Sequence, residues 1–126
     1  MPITMGGARV QHSSDETIGS LRRTLEKEIL SWPEVMERTM FGIPAYLAKG
    51  TIFALLVDKG VVLTSLTEQQ RDDVAHRFPS QPFIGHGNPI PSWIQVSIEQ
   101  EVDLTPLVPY IRQSYENALL KSVRRH

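Results

Sequence analysis

Asp72 and His76 stand four residues apart in a stretch that reads as helical, so one helical turn would bring a carboxylate and an imidazole to the same face. That is a spacing at which two side chains can reach one ion, and His86 is the residue free to complete such a set. The plainer reading is a solvated Asp–His pair on a polar face. No third ligand stands at a telling distance, so no metal and no cofactor are expected. His12 and His126 lie near the ends of the chain and are expected to be exposed. Ser65, Ser92 and Ser114 supply hydroxyls, but none stands in the Gly-flanked turn that presents a catalytic serine. Gly85-His86-Gly87-Asn88 is turn-prone, without the lysine and hydroxyl spacing that cradles phosphate. The absence of cysteine excludes thiolate nucleophiles, disulfides and Cys-based zinc sites. Nothing reads as a catalytic set, and the chain is expected not to be an enzyme; a ligand pocket near His86 would reopen that question.

Two groups could bind rather than react. Phe41, Tyr46 and Trp93, with His86 in the loop between them, would form a small aromatic surface for a peptide or ligand. The alternative is that these aromatics are core and edge packing, with the tyrosine hydroxyl satisfied locally. Lys121, Arg124 and Arg125 form the one unbalanced basic cluster and would touch phosphates if the protein served as a DNA-binding accessory. A net charge of −1 gives no overall push toward nucleic acid, which favours a solvated tail.

The elements that must position these groups follow from periodicity. Ser13 and Glu16 make a capping box for a first helix from Asp15 to Trp32, with Ile18, Leu21, Leu25 and Ile29 on one stripe. Pro33 ends it. Arg38–Leu47 is expected as one strand, bent or bulged or at a sheet edge because of Gly42 and Pro44. Thr51–Val57 is almost uniformly apolar and Val61–Leu66 returns from it, with Gly60 available for a positive φ in the turn. Thr67 and Gln70 form a second capping box, opening a helix to about Phe78. Pro79–Pro91 holds four prolines, so a strand there should be brief, around Phe83-Ile84. Trp93–Glu99 alternates as a half-buried strand. A last helix covers Thr105 to Ser122 along Leu107, Ile111, Tyr115, Ala118 and Leu119, with Pro109 confined to its first turn.

The expected class is therefore α+β: a two-layer α-β(3)-α-β(2)-α arrangement, its mainly antiparallel sheet covered by helices on one face. The 126 residues fit one domain, 14–126, behind a flexible lead-in at 1–13. No apolar run approaches the roughly 18 residues of a membrane span, and the opening lacks a signal-peptide core. A cytoplasmic location is the simplest expectation.

The hairpin-like RTMFGIPAY and GTIFALLV stretch, with Met40-Phe41-Gly42, Phe53-Ala54 and Val61-Val62-Leu63, resembles the TfoX N-terminal domain family. Trp93 before an alternating strand, followed by an acidic turn and a helix carrying Ser114-Tyr115, is similar to the closing half of YjbR/MmcQ-like domains. The chain departs from the TfoX pattern at Ile43, where a second glycine is usual. The resemblance implies a non-catalytic binding or regulatory module with an unknown protein partner, homodimerisation being compatible with its sheet edges. It also implies DNA binding as the alternative.

Overall fold

The computed structural model describes residues 19–40, 42–85 and 87–124. The first capping box, the lead-in at 1–13, Phe41, His86, Arg125 and His126 lie outside the described residues.

Helix α1 covers 19–29 and buries Leu21, Leu25 and Ile29 along the expected stripe. Four strands follow rather than three: β1 (Val35–Met40), β2 (Ile43–Ala48), β3 (Thr51–Val57) and β4 (Gly60–Leu63). The stretch expected as one bent strand is a hairpin of two. Gly42 takes φ +76°, a left-handed conformation that costs glycine little, and the chain reverses there to pair Met40 with Ile43. Pro44 is tolerated because β2 pairs with β3 only from Ala45 onward, so no partner asks Pro44 for an N–H on that side.

Helix α2 (Glu68–Arg77) opens on the Thr67–Gln70 capping box, with both reciprocal hydrogen bonds formed. Then come β5 (Ser80–Gly85), β6 (Asn88–Ser97), a 3-10 turn at Glu101–Leu107 and α3 (Val108–Arg124), which places Pro109 in its first turn. The proline-rich stretch thus holds more strand than expected. Pro89 and Pro91 fit because β4 pairs with β6 only from Ile94 to Ser97.

All six strands form one antiparallel sheet in the order β1-β2-β3-β4-β6-β5. The fold is α+β with an open sheet. One core cluster joins Leu25 and Ile29 of α1, Val74 of α2 and Ile111, Tyr115 and Ala118 of α3 to Tyr46, Phe53, Leu56, Val61 and Val96 of the sheet. A second cluster, built from strand residues alone, gathers Ala45, Leu47, Leu55, Val62 and Phe83 with Met40, Ile43 and Trp93. Full burial of each such Leu or Phe contributes about 1.5–3 kcal/mol, so both clusters matter to stability.

Gly60 does not turn the chain; Lys59 does, at φ 55°. Gly60 begins β4 where it passes β6, and a Cβ there would meet the Val96 carbonyl oxygen at 2.7 Å. Its role is close approach between strands.

Between Tyr46 and Leu47 the β2–β3 register skips, so Phe53 bulges from the ladder. Its carbonyl accepts from Thr64 N–H at 3.2 Å and also from α3, where Ser114 Oγ donates at 2.6 Å and in turn accepts from Ser65 N at 3.0 Å. Asn117 Nδ2 donates to Ser65 O at 2.8 Å, completing a buried seam between α3 and the sheet. The Ser114 hydroxyl is structural, spent on backbone.

Candidate interaction surface

The edge strand β1 is the most exposed element of the sheet. Met36, Glu37, Arg38 and Thr39 are all exposed, Met36 by 53%. This is why the sequence pattern did not reveal it as a separate strand: only Val35 and Met40, at its two ends, pack against apolar clusters.

Backbone parity decides what the edge offers. Lys49 N–H donates to Glu34 O at 3.1 Å, one pair beyond the Val35–Ala48 match. In an antiparallel ladder such pairs alternate, so Met36, Arg38 and Met40 turn their backbone groups toward β2. Val35, Glu37 and Thr39 turn theirs outward. The terminal position of β1 in the sheet leaves those outward N–H and C=O groups without a strand partner among the described residues.

The opposite edge differs. Ser97 N–H donates to Pro79 O at 2.9 Å, so the same alternation makes Ser80 and Pro82 outward positions in the part of β5 before its register shift at Pro82/Phe83. Pro82 has no N–H to offer there, a common way of blunting a sheet edge. Among the described residues the sheet thus has one open edge, β1, and one that Pro82 interrupts, β5.

Charged contacts hold the open edge in place. On the helix side, Arg22 of α1 pairs with Glu37 of β1, and its Nε donates to Glu26 Oε2 at 2.8 Å. Tyr46 Oη donates to the same Glu26 oxygen at 2.7 Å. The hydrogen bond to Glu26, aided by the Coulombic pull of both carboxylates, holds the Arg22 guanidinium firmly protonated. Burial, reinforced by the Glu26 bond, pushes the Tyr46 phenol well above its ordinary range. The network clamps β1 and β2 to α1 without covering the outward edge.

The residues expected to bind are dispersed. Tyr46 is fully buried in the helix-side cluster, while Trp93 packs against Phe83 in the strand-only cluster, ring centroids 5.9 Å apart. A shared Tyr46–Trp93 surface is therefore not formed: the two belong to different clusters, and the tyrosine hydroxyl is taken by Glu26. Phe41 and His86 lie outside the described residues.

The polar pairs weighed from sequence also resolve into local bonds. His76 Nδ1 lies 2.7 Å from the Asp72 carbonyl of its own helix rather than aimed with the Asp72 carboxylate at a common point. Among the described residues no three His, Asp or Glu side chains gather as metal ligands. Lys121 is exposed near the end of α3, which Ser122 ties to the β2–β3 turn through Ala48 O and Lys49 O. Arg124 is the last residue of α3.

Two open clefts flank α2. One, of about 240 Å³, lies between Arg71, Asp72 and Ala75 and the prolines Pro82 and Pro91. The other, of about 370 Å³, is bounded by Phe78, Pro79, Ile98, Glu99, Asp103 and Pro106. Ser80 and Gln81 also line the first, and Ser97 the second. No described helix is long and apolar enough to cross a membrane.

Comparison with protein-family models, curated proteins and solved structures finds no match.

Proposed function

We propose that this chain is a small, non-catalytic binding or regulatory module of TfoX N-terminal-like type, acting in the cytoplasm through the open β1 edge. The observation that carries the reading is the contrast between two edges of one sheet. One shows a four-residue exposed run with outward backbone groups; the other places a proline where a donor would be.

An extended segment added to β1 would take main-chain hydrogen bonds from Val35, Glu37 and Thr39. Specificity would come from the flanking side chains, Met36 and Arg38 on one face and Glu37 and Thr39 on the other. Each backbone hydrogen bond contributes about 0.5–1.5 kcal/mol net. Association itself costs about 4–15 kcal/mol, so strand addition alone gives a weak, reversible contact. That suits regulation better than permanent assembly.

The test is capture of partners from a source-cell lysate, with nuclease present, by the native chain and by Thr39→Pro. Proline at 39 removes an outward N–H while leaving the bonds to β2 intact. The reading expects a specific protein retained by the native chain and lost by the variant. Equal capture by both would contradict it. Recovery that collapses with nuclease would shift attention to Lys121, Arg124 and Arg125.

A further inference from the structure

We infer that the strand seated on β1 is β1 of a second copy, paired antiparallel about a two-fold axis at Glu37; this deepens the proposal above and rests on it.

Outward backbone groups occur at Val35, Glu37 and Thr39, so a self-pairing register must match odd positions with odd positions. With Glu37 on the two-fold axis, all three outward residues pair in each copy: Glu37 with Glu37, and Val35 with Thr39 twice. Placing Met36 or Arg38 on the axis keeps only two such pairs. The Arg38-centred register also sets that arginine against its own copy, and Arg38 makes no ion pair among the described residues. Like charges directly opposed weaken a ladder.

The Glu37-centred register also sets a residue against its own copy, but there each carboxylate has a cation beside it. Each Glu37 pairs with Arg22, which it shares with Glu26, so the helix side of the junction reads Arg22, Glu37, Glu37, Arg22 across the axis and the arginines offset part of the repulsion. On the other face Met36 lies opposite Arg38 of the second copy, twice. The exposed thioether then packs beneath an arginine stem.

Closure argues for a second copy over an open series of strands. Pairing β1 with β1 occupies the open edge found among the described residues and leaves the β5 edges, each interrupted by Pro82, at the outer ends. Growth stops at two, as an isologous interface requires.

The absence of cysteine makes the register directly readable. Opposed residues of a hydrogen-bonded antiparallel pair have Cα atoms about 5.5 Å apart, within the roughly 4.4–6.8 Å that a disulfide spans. Mild oxidation of Glu37→Cys should give a covalent dimer. Val35→Cys/Thr39→Cys, which keeps Glu37 and its Arg22 contact, should give a doubly bridged dimer. Met36→Cys and Arg38→Cys alone should stay uncrosslinked, because their own copies are diagonal, about 7–8 Å away.

Sedimentation of the native chain from about 1 to about 500 µM should move from 14.2 kDa toward twice that mass. Thr39→Pro should remain at the lower mass. A native chain that stays at 14.2 kDa throughout overturns self-pairing, and so does crosslinking at Arg38→Cys in place of Glu37→Cys. If the native chain stays single while Thr39→Pro still loses its lysate partner, self-pairing falls and the binding-module reading stands. If Thr39→Pro dimerises as well as the native chain, the edge itself is wrong and both fall.

Discussion

Ser114 Oγ reaches across from α3 to the Phe53 carbonyl at 2.6 Å, and Phe53 is the residue that bulges from the β2–β3 ladder. The Phe53 carbonyl also accepts from Thr64 N–H at 3.2 Å, so the helix hydroxyl adds a second bond at the bulge. Ser114→Ala would leave the Ser65 amide without this partner in a buried seam, while the Phe53 carbonyl keeps Thr64. The expected loss is about 1–3 kcal/mol in urea unfolding. Since Ser114 is a plain scaffold residue in this account, binding by folded Ser114→Ala should match the native chain.

Gly60 supports the sheet by the absence of a side chain. A methyl group added there meets the Val96 carbonyl at 2.7 Å and Val57 Cγ2 at 3.2 Å, and backbone cannot swing aside. Gly60→Ala should destabilise by about 1–3 kcal/mol, the range for overpacking, despite alanine's lower unfolded-state entropy. Thermal unfolding checks this; an unchanged midpoint would mean that β4 and β6 separate easily.

Tyr46 links the core to pH. Burial and the Glu26 bond raise its pKa above the value near 10 that an unfolded tyrosine shows. The folded state therefore keeps a proton that the unfolded chain releases. The contribution is complete below about pH 10 and is lost as pH climbs above it. Tyr46→Phe removes both the hydrogen bond and this sensitivity. Its deficit relative to the native chain, about 1–3 kcal/mol at neutral pH, should shrink from about pH 10 upward. A deficit constant to pH 11 would contradict the assignment, for which alkaline denaturant titrations suffice.

Thr39→Pro tests parity without any partner. If the Thr39 N–H points to solvent, its removal deletes no bond to β2, and the stability change should stay below about 1 kcal/mol. Arg38→Pro, which would delete an inward donor and clash within the ladder, should cost about 3 kcal/mol or more. Equal losses at both positions would mean that the alternation along β1 is misassigned.

Much of the fold was legible because its determinants are local. The Leu21–Leu25–Ile29 stripe, the Thr67–Gln70 box and the Ile94–Val96–Ile98 alternation each carry their periodicity within one element. β1 was hidden because exposure removes the pattern that marks a strand: four exposed residues of mixed polarity alternate in no readable way. The turn at Gly42 looked like a bend for the same reason. Tyr46 misled because its hydroxyl partner, Glu26, lies twenty positions away on another element. The open edge could not be read at all, since which side of a strand is unpaired depends on sheet order and register rather than on composition.

Residue-resolved amide hydrogen exchange along β1 tests the central claim most directly. In dilute protein the Glu37 and Thr39 amides should exchange rapidly while Met36, Arg38 and Met40 are protected, an alternation with a period of two. Concentrating the protein, or adding the captured partner, should slow Glu37 and Thr39 and leave their neighbours unchanged. Uniform protection along β1 in dilute protein, or rapid exchange at Glu37 and Thr39 in a proven complex, would contradict the account.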